Sequence, residues 1–248
     1  MHSKSTRFLI SVIIPTLNEE KLISQTLSQF TPELKNKYNI EVIVSDGGST
    51  DSTVKKAEAA ADTVIKADPD LPQNIPIGRN LGAKKASGKY LYFINADTQF
   101  KDTEEFLSKT ASALGISSVA ALTMRFKVFP SEEKFSDKLF HGFYNSYVFF
   151  LNSIGMGMGR GECQIVKKEF FNKINGYNEK LAAGEDFDLY KRLKKLGKIK
   201  YLNDIVVYES PRRYRKFGYA KVFWDWTKNS LSVFFRKKSV SDKWEPVR

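Results

Sequence analysis

Short apolar runs alternate with helix-like stretches through the first hundred residues of this chain. The runs are rich in β-branched and aromatic residues and have the length of buried strands. They predict strands over residues 7–15, 40–45, 63–66 and 90–94. Strands that are apolar on both faces need cover on both sides, so the pattern predicts an α/β fold with a single, mostly parallel central sheet flanked by helices.

Helix-like segments separate these strands and continue beyond them. We predict helices over residues 19–30, 50–61, 77–86 and 187–196, and a late strand over residues 201–208. Ser49 or Asp51 can cap the second helix, and Gly88 closes the third. The glycines between residues 155 and 161 follow no predicted strand, so we reject a dinucleotide-binding motif there.

Carboxylates stand directly after two of the predicted strands, Asp46 after the second and Asp97 after the fourth. Ligands of parallel α/β sheets bind beyond the carboxyl ends of the strands, so both residues mark a candidate site. Asp97 is suited to a hard divalent cation such as Mn²⁺ or Mg²⁺. Glu185 and Asp186 open a predicted helix after a glycine, where a carboxylate can accept a proton from a hydroxyl group.

The charge balance favours anionic partners, because the formal net charge is +12. The single cysteine, Cys163, excludes an internal disulfide and fits a reducing cytoplasm. We find no signal peptide and no run of about 20 apolar residues that could span a bilayer. Any membrane association is therefore expected to be peripheral.

Several motifs occur in a fixed order along the chain. They are PTLNEE at 15–20, DGGSTD at 46–51, GRNLG at 78–82, NADT at 95–98, GYNE at 176–179 and GEDFDL at 184–189. In order and spacing they resemble the family 2 glycosyltransferases from about residue 8 to residue 216. The resemblance implies a GT-A fold, a UDP- or GDP-linked sugar donor, a divalent cation and inversion at the anomeric carbon.

The resemblance also assigns roles to individual residues. The donor-binding positions that it implies are Pro15, Leu17, Glu19, Asp46, Arg79, Asn95, Arg212 and Arg213. The first three would line the nucleoside pocket, Asp46 would contact the base, Arg79 would lie near the donor, and the two late arginines would hold phosphate. Asp97 would bind Mn²⁺ or Mg²⁺, and Asp186, with Glu185 beside it, would be the catalytic base.

This chain departs from the family pattern at two positions. Asn95 stands where the family's metal motif often has an acidic residue, which leaves Asp97 as the carboxylate ligand of that motif. Gly47 stands where a second aspartate is common, so Asp46 would recognise the base alone.

Three alternative functions remain open from the sequence. A polyprenyl-phosphate sugar synthase has a phosphate acceptor that is already nucleophilic, so it would not need Asp186 as a base. A sugar-phosphate nucleotidyltransferase would carry a glycine- and arginine-rich loop near the first strand, but residues 15–20 are acidic and lack glycine. A nucleic-acid-binding protein would explain the net charge but not the strand-end carboxylates, so we expect no nucleic-acid partner.

Two aromatic segments predict an association with membranes. Residues 135–154 and 217–235 hold more aromatic side chains than one side of a small domain readily buries, and arginine and lysine clusters bracket the second segment. Basic residues around an apolar helix face are typical of interfacial helices. We therefore predict a glycosyltransferase domain over 1–216 and an interfacial extension over 217–248. The protein would lie at the inner face of the cell membrane and act on a lipid-linked or glycan acceptor.

Overall fold

Eight strands form one sheet in this computed structural model, which describes residues 9–70, 72–241 and 247. The strands are β1 (Ile10–Thr16), β2 (Ile40–Asp46), β3 (Thr63–Lys66), β4 (Tyr90–Ile94), β5 (Gln99–Phe100), β6 (Val119–Val128), β7 (Cys163–Lys167) and β8 (Lys198–Glu209). Their order is β3-β2-β1-β4-β7-β6-β8-β5. Within the described residues only β7 and β5 run against the others, so the prediction of one mostly parallel sheet is confirmed.

Ten helices accompany the sheet in the described part of the chain. They are α1 (Ile23–Ser28), α2 (Pro32–Tyr38), α3 (Thr53–Glu58), α4 (Ile75–Lys85), α5 (Thr103–Gly115), α6 (Phe135–Ser153), α7 (Lys168–Lys173), α8 (Glu185–Lys194), α9 (Arg212–Phe217) and α10 (Tyr219–Arg236). The predicted helices and strands are all present: β3 and β4 have the predicted bounds, and the other predicted elements have shifted ends. For example, α4 begins two residues earlier than predicted because the Asn74 side chain caps it by accepting a hydrogen bond from Ile77 N at 2.8 Å. The first predicted strand also includes Arg7 and Phe8, which lie outside the described residues.

Alternate residues of the central strands face two different apolar clusters. Val12 of β1 packs into a cluster that contains residues of α1 and α5, whereas its neighbour Ile13 packs into one that contains residues of α4, α7 and α8. Both side chains are fully buried. The sheet is therefore covered on both faces, as its unbroken apolar strands require.

The helices α6 and α10 lie against the half of the sheet that holds β6 and β8. Asn145 of α6 joins the helix to β6, because its side chain accepts a hydrogen bond from Phe126 N at 3.0 Å and donates one to Phe126 O at 2.9 Å. Val233 of α10 is buried in a cluster with residues of α6 and α8. Within the described chain, no helix combines the length and apolar character needed to cross a bilayer.

The predicted boundary at residue 216 falls one residue before the end of α9. The predicted extension over 217–248 corresponds mainly to α10, which packs on α8 and α9. Residues 242–246 and 248 of that segment lie outside the described residues. The division into a catalytic domain and an extension stays a prediction.

We expect Asn145→Ala to lower the free energy of unfolding by about 2–3 kcal/mol, because two buried backbone groups of Phe126 lose their partner. Chemical denaturation of the purified variant measures this difference. The matched control is Ser146→Ala, which changes the next, exposed residue of α6 and should alter stability by less than about 0.5 kcal/mol. Equal stability of the two variants would contradict the anchoring role of Asn145.

Candidate active site

The carboxyl ends of β1, β2 and β4 meet at one edge of the sheet, where they border a cavity of about 490 Å³. Thr16 at the end of β1 pairs in register with Asp46 at the end of β2, and β4 lies on the other side of β1. The predicted site residues that line this cavity are Pro15, Leu17, Glu19, Asn95, Asp97, Arg212 and Arg213. The structure thus brings together seven of the predicted positions, from both halves of the chain.

Asp46 lies beside this cavity and is not among its lining residues in the described chain. Its carboxylate accepts hydrogen bonds from the backbone N–H groups of Gly48 and Ser49, both at 2.9 Å, and from the Thr16 hydroxyl at 3.2 Å. These bonds fix the turn that follows β2. The predicted contact between Asp46 and a nucleobase stays a prediction.

The loops after β1 and β2 hold each other in place. Asn18 has a positive φ of 54°, its N–H donates to the Ser49 hydroxyl at 2.8 Å, and its side-chain oxygen accepts from Thr50 N at 2.8 Å. Asparagine tolerates this left-handed conformation better than most residues. The interlocked loops fix the wall of the cavity that carries Leu17 and Glu19.

Asp97 faces the cavity and is paired with a cation of the chain itself. One guanidinium nitrogen of Arg212 lies 2.9 Å from the carboxylate of Asp97 and 3.2 Å from that of Glu19. The Asp97 side chain is only 20% exposed, so the two charges meet in a partly desolvated place where their attraction is stronger than in water. Burial opposes the charged form of Arg212, but Asp97 and Glu19 raise its pKa above the ordinary value.

The residues around Asp97 fit a divalent cation that takes its other ligands from a bound molecule. Among the described residues there is no cluster of three or more His, Cys, Asp or Glu side chains that could hold a metal ion without further ligands. However, the Asp97 carboxylate accepts a hydrogen bond from the Arg212 guanidinium at the cavity wall, so a positive charge is stabilised at this position. A carboxylate at the wall of a cavity suits a Mg²⁺ or Mn²⁺ ion that is shared with phosphate oxygens.

A smaller cavity of about 80 Å³ adjoins the first and contains Asp186. Asn95 lines both cavities, so the two spaces meet beside the end of β4. Burial, together with the charge of Glu185, raises the pKa of Asp186 to about 7. A carboxylate with this pKa can take up a proton near neutral pH, which is the property that a general base needs.

Arg79 is buried beneath the junction of the two cavities. Its guanidinium donates to Glu185 at 2.9 Å, to the side-chain oxygen of Asn95 at 3.2 Å and to Gly161 O at 2.6 Å. The side chain is only 1% exposed. The Glu185 carboxylate is therefore bonded to Arg79. Among the described residues, the hydrogen bond that the Asp186 carboxylate accepts comes from its neighbour, Phe187 N.

Sequence reasoning did not identify a second buried charge cluster around Arg160. Its guanidinium lies 3.2 Å from Glu162 and 2.7 Å from Glu209, and both acids line the larger cavity. Burial, with the nearby charge of Glu162, raises the pKa of Glu209 well above its usual range, whereas Arg160 lowers that of Glu162 against the effect of burial. The signal that could have identified this cluster is Arg160 itself, a charged residue among the glycines at 155–161.

The glycines at 155–161 bring this cluster to the site. Gly157 has a φ of +76°, and a Cβ added at Gly159 would lie 2.3 Å from the ring of Tyr190 in α8. Only glycine fits this close approach without displacing the ring. The segment is therefore held against α8, with Arg160, Gly161 and Glu162 directed toward the cavities.

The comparisons with known proteins agree with the motif analysis. A family described as "Glycosyl transferase family 2" matches residues 11–174, which is more than half of the chain. The succinoglycan biosynthesis protein ExoA of Rhizobium meliloti is 28% identical over 226 residues, covering 85% of this chain and 67% of that protein. In other curated relatives the match covers only 20% to 32% of their length. The family that the motifs predict is confirmed, and this family membership favours an enzyme over a nucleic-acid-binding protein.

Solved structures share the fold at low sequence identity. A mannosyltransferase of Pyrobaculum calidifontis in complex with GDP-Man and Mn²⁺ has a TM-score of 0.71 and 20% identity, covering 94% of this chain and 64% of that one. Glucosyl-3-phosphoglycerate synthase of Mycobacterium tuberculosis, in complex with Mn²⁺, UDP-glucose and phosphoglyceric acid, has a TM-score of 0.59 and 16% identity, covering 92% and 78%. These likenesses confirm the predicted GT-A fold.

We expect Asp186→Asn to change how stability depends on pH. Because the folded-state pKa of about 7 exceeds the value of about 4 in an unfolded chain, the folded protein binds the extra proton between these values. Wild-type stability should therefore fall as pH rises from about 4 to 7, relative to the variant, by about 2–4 kcal/mol in total. Denaturation of both proteins at pH 5 and pH 8 measures the difference. A constant difference across this range would contradict the raised pKa.

Proposed function

The chain belongs to glycosyl transferase family 2, and we propose that it transfers a sugar from a UDP- or GDP-linked donor to a lipid-linked or glycan acceptor. The observation that carries this proposal is the meeting of two cavities beside β4. One contains Asp97 and two arginines, and the other contains a carboxylate with a pKa near 7. A leaving group and an acceptor can then be bound on opposite sides of the anomeric carbon.

The larger cavity is suited to the nucleotide part of the donor. It lies beyond the carboxyl ends of parallel strands, where nucleotides bind in open α/β sheets. Its volume of about 490 Å³ is within the range of small-molecule sites. Pro15 and Leu17 offer apolar surface to a base or ribose, and the donors in the related structures support a nucleoside-diphosphate sugar.

Positive charge in the same cavity would stabilise the departing diphosphate. Asp97 would hold a Mn²⁺ or Mg²⁺ ion, which neutralises the charge that develops on phosphate oxygens. Arg212 and Arg213 line the cavity as well, and guanidinium groups can donate two hydrogen bonds to phosphate. Asp97, now paired with Arg212, would be the carboxylate that holds the metal ion, and Arg212 would then be available to the phosphates.

Asp186 is the proposed base for a hydroxyl acceptor. The acceptor oxygen forms its bond to the anomeric carbon while the bond to the diphosphate oxygen breaks, and the hydroxyl proton passes to Asp186. Because nucleophile and leaving group occupy opposite faces of the sugar, the configuration inverts. Glu185 supports this role because its charge, together with burial, raises the pKa of Asp186, while its own carboxylate is held by Arg79.

The proposed location follows from the proposed substrates and from the positive net charge of the chain. We place the protein peripherally at the inner face of the cell membrane, where nucleotide sugars and lipid-linked acceptors meet. The net charge of +12 supports attraction to anionic lipid headgroups. A polyprenyl phosphate is the alternative acceptor, and it would not need Asp186.

Donor turnover tests the proposed transfer. Purified protein is incubated with UDP-, GDP- and dTDP-sugars, Mn²⁺ or Mg²⁺ and a membrane lipid extract, and released nucleotide and labelled lipid are measured. For a hydroxyl acceptor we expect Asp97→Ala and Asp186→Asn each to reduce transfer by about 10²-fold or more. Wild-type transfer should rise with pH through about 7, as Asp186 ionises.

The two variants also distinguish the acceptors. Loss of transfer in Asp97→Ala alone, with Asp186→Asn active, would indicate a phosphate acceptor. If no donor is consumed and none binds in the presence of metal, the proposal of a transferase fails. The matched control is Asp204→Asn, an exposed carboxylate of β8 that does not line either cavity.

We expect Arg212→Ala to bind Mn²⁺ more tightly than wild type when no nucleotide is present, because the competing guanidinium is gone. A gain on the order of tenfold corresponds to about 1.4 kcal/mol. Titration of free Mn²⁺ by electron paramagnetic resonance measures this binding independently of activity. Arg212→Lys keeps the positive charge and should resemble wild type. Unchanged affinity in Arg212→Ala would contradict the competition.

A further inference from the structure

The outer faces of α6 and α10 expose large apolar side chains in two rows. On α6 these are Phe135, Leu139, Phe143, Phe149, Phe150 and Ile154 at its end, and on α10 they are Trp224, Leu231 and Phe235. Each is more than half exposed, up to 74% for Phe135 and 76% for Phe235. Intervals of four and seven residues place most of them on one face of each helix. We call these two rows together the α6–α10 face.

The two rows form one surface rather than two separate ones. Exposed Phe143 of α6 contacts Phe223 of α10 with ring centroids 5.6 Å apart, and Phe223 contacts exposed Trp224 at 5.9 Å. The aromatic side chains thus continue from one helix to the other. Soluble monomers rarely expose a continuous apolar surface of this kind without a binding function.

The inner faces of the same two helices line the smaller cavity. Tyr144 of α6 and Trp226 of α10 stand in its wall with Asp186, and their rings lie 5.3 Å apart. Tyr144 is adjacent in sequence to Phe143, and Trp226 is two residues from Trp224. Whatever covers the α6–α10 face therefore lies one helix thickness, about 10 Å, from the proposed acceptor cavity.

The charges around the α6–α10 face favour an anionic partner. Each helix carries a single acidic residue, and both are paired with cations: Asp137 with Arg215 and Asp225 with Lys221. Exposed cations at and after the C-terminal half of α10 are Lys228, Arg236, Lys237 and Lys238. Within the described residues none of these four has an ion pair. Basic residues around an apolar helix face are the pattern that binds anionic bilayer surfaces.

We propose that the α6–α10 face docks on the surface of an anionic lipid bilayer, so that an acceptor held in the membrane reaches Asp186 from that side. The aromatic side chains would enter the headgroup region while the lysines and arginines contact lipid phosphates. This inference rests on the proposed function: it names the surface for the peripheral membrane location proposed above, and its acceptor part further needs the proposed transfer.

Vesicle sedimentation tests the docking. The full chain is mixed with vesicles of phosphatidylcholine alone or of phosphatidylcholine with phosphatidylglycerol, and bound protein is measured in the pellet. Wild type should bind the anionic vesicles more tightly, and less so as salt is raised. The combined variant Trp224→Ser, Leu231→Ser and Phe235→Ser should bind at least about tenfold more weakly.

A matched control uses an exposed apolar residue outside these helices. Ile116→Ser removes a side chain that is 47% exposed at the end of α5, and it should bind vesicles like wild type. Nucleotide binding in the absence of lipid should be the same in all three proteins, because none of the altered residues lines the larger cavity. Normal nucleotide binding therefore distinguishes a failure of docking from a failure of the proposed function.

Three results would overturn the inference. The first is that wild type does not bind the anionic vesicles, and the second is that the triple variant binds them as well as wild type does. The third is that light scattering detects a wild-type dimer which the triple variant lacks, without any vesicle binding. The α6–α10 face would then be an interface between two copies of the chain.

Discussion

The buried guanidinium of Arg79 holds the two cavities together. It joins α4 to Asn95 after β4, to Gly161 in the glycine-rich segment and to Glu185 at the start of α8. A charge that is removed from water must be compensated by partners of good geometry, and loss of one partner leaves the others buried and unpaired. Asn95 lies two residues before Asp97, and Glu185 directly precedes Asp186, so the positions of both aspartates depend on a side chain that itself has almost no exposure to solvent.

A second arginine connects the site to the outer helices. The Arg160 guanidinium lies between Glu162 and Glu209, and it also stacks near the rings of Tyr144 at 5.2 Å and Trp226 at 5.6 Å. Cations over aromatic faces are attracted by the ring quadrupole, more so when water is excluded. The same group thus balances the acids of the larger cavity and supports the inner faces of α6 and α10, which ties the proposed acceptor side to the donor side.

The fold and the placement of several candidate residues at the edge of the sheet could be predicted from the sequence because the signals are local. Unbroken apolar strands required a sheet covered on both faces, and Asp97 directly after a strand had to lie at the ligand-binding edge. The Gly-Glu-Asp segment likewise predicted a carboxylate at a helix start. The motif also assigns Arg79 to the neighbourhood of the donor, which stays a prediction, whereas only the structure shows that its guanidinium is directed onto Glu185. Nothing in its local sequence specifies that direction.

The sequence by itself determined the alternation of strands and helices, the strand-end carboxylates and the family, since each depends on neighbouring residues or on ordered motifs. Only the tertiary structure decided which distant charges meet: Arg212 with Asp97, 115 residues apart, and Arg160 with Glu209, 49 residues apart. It also decided which aromatic residues of α6 and α10 are buried and which are exposed. These outcomes follow from packing between segments that are remote in sequence. Burial sets the strength of each charge pair, and no local sequence pattern indicates which residue the partner will be.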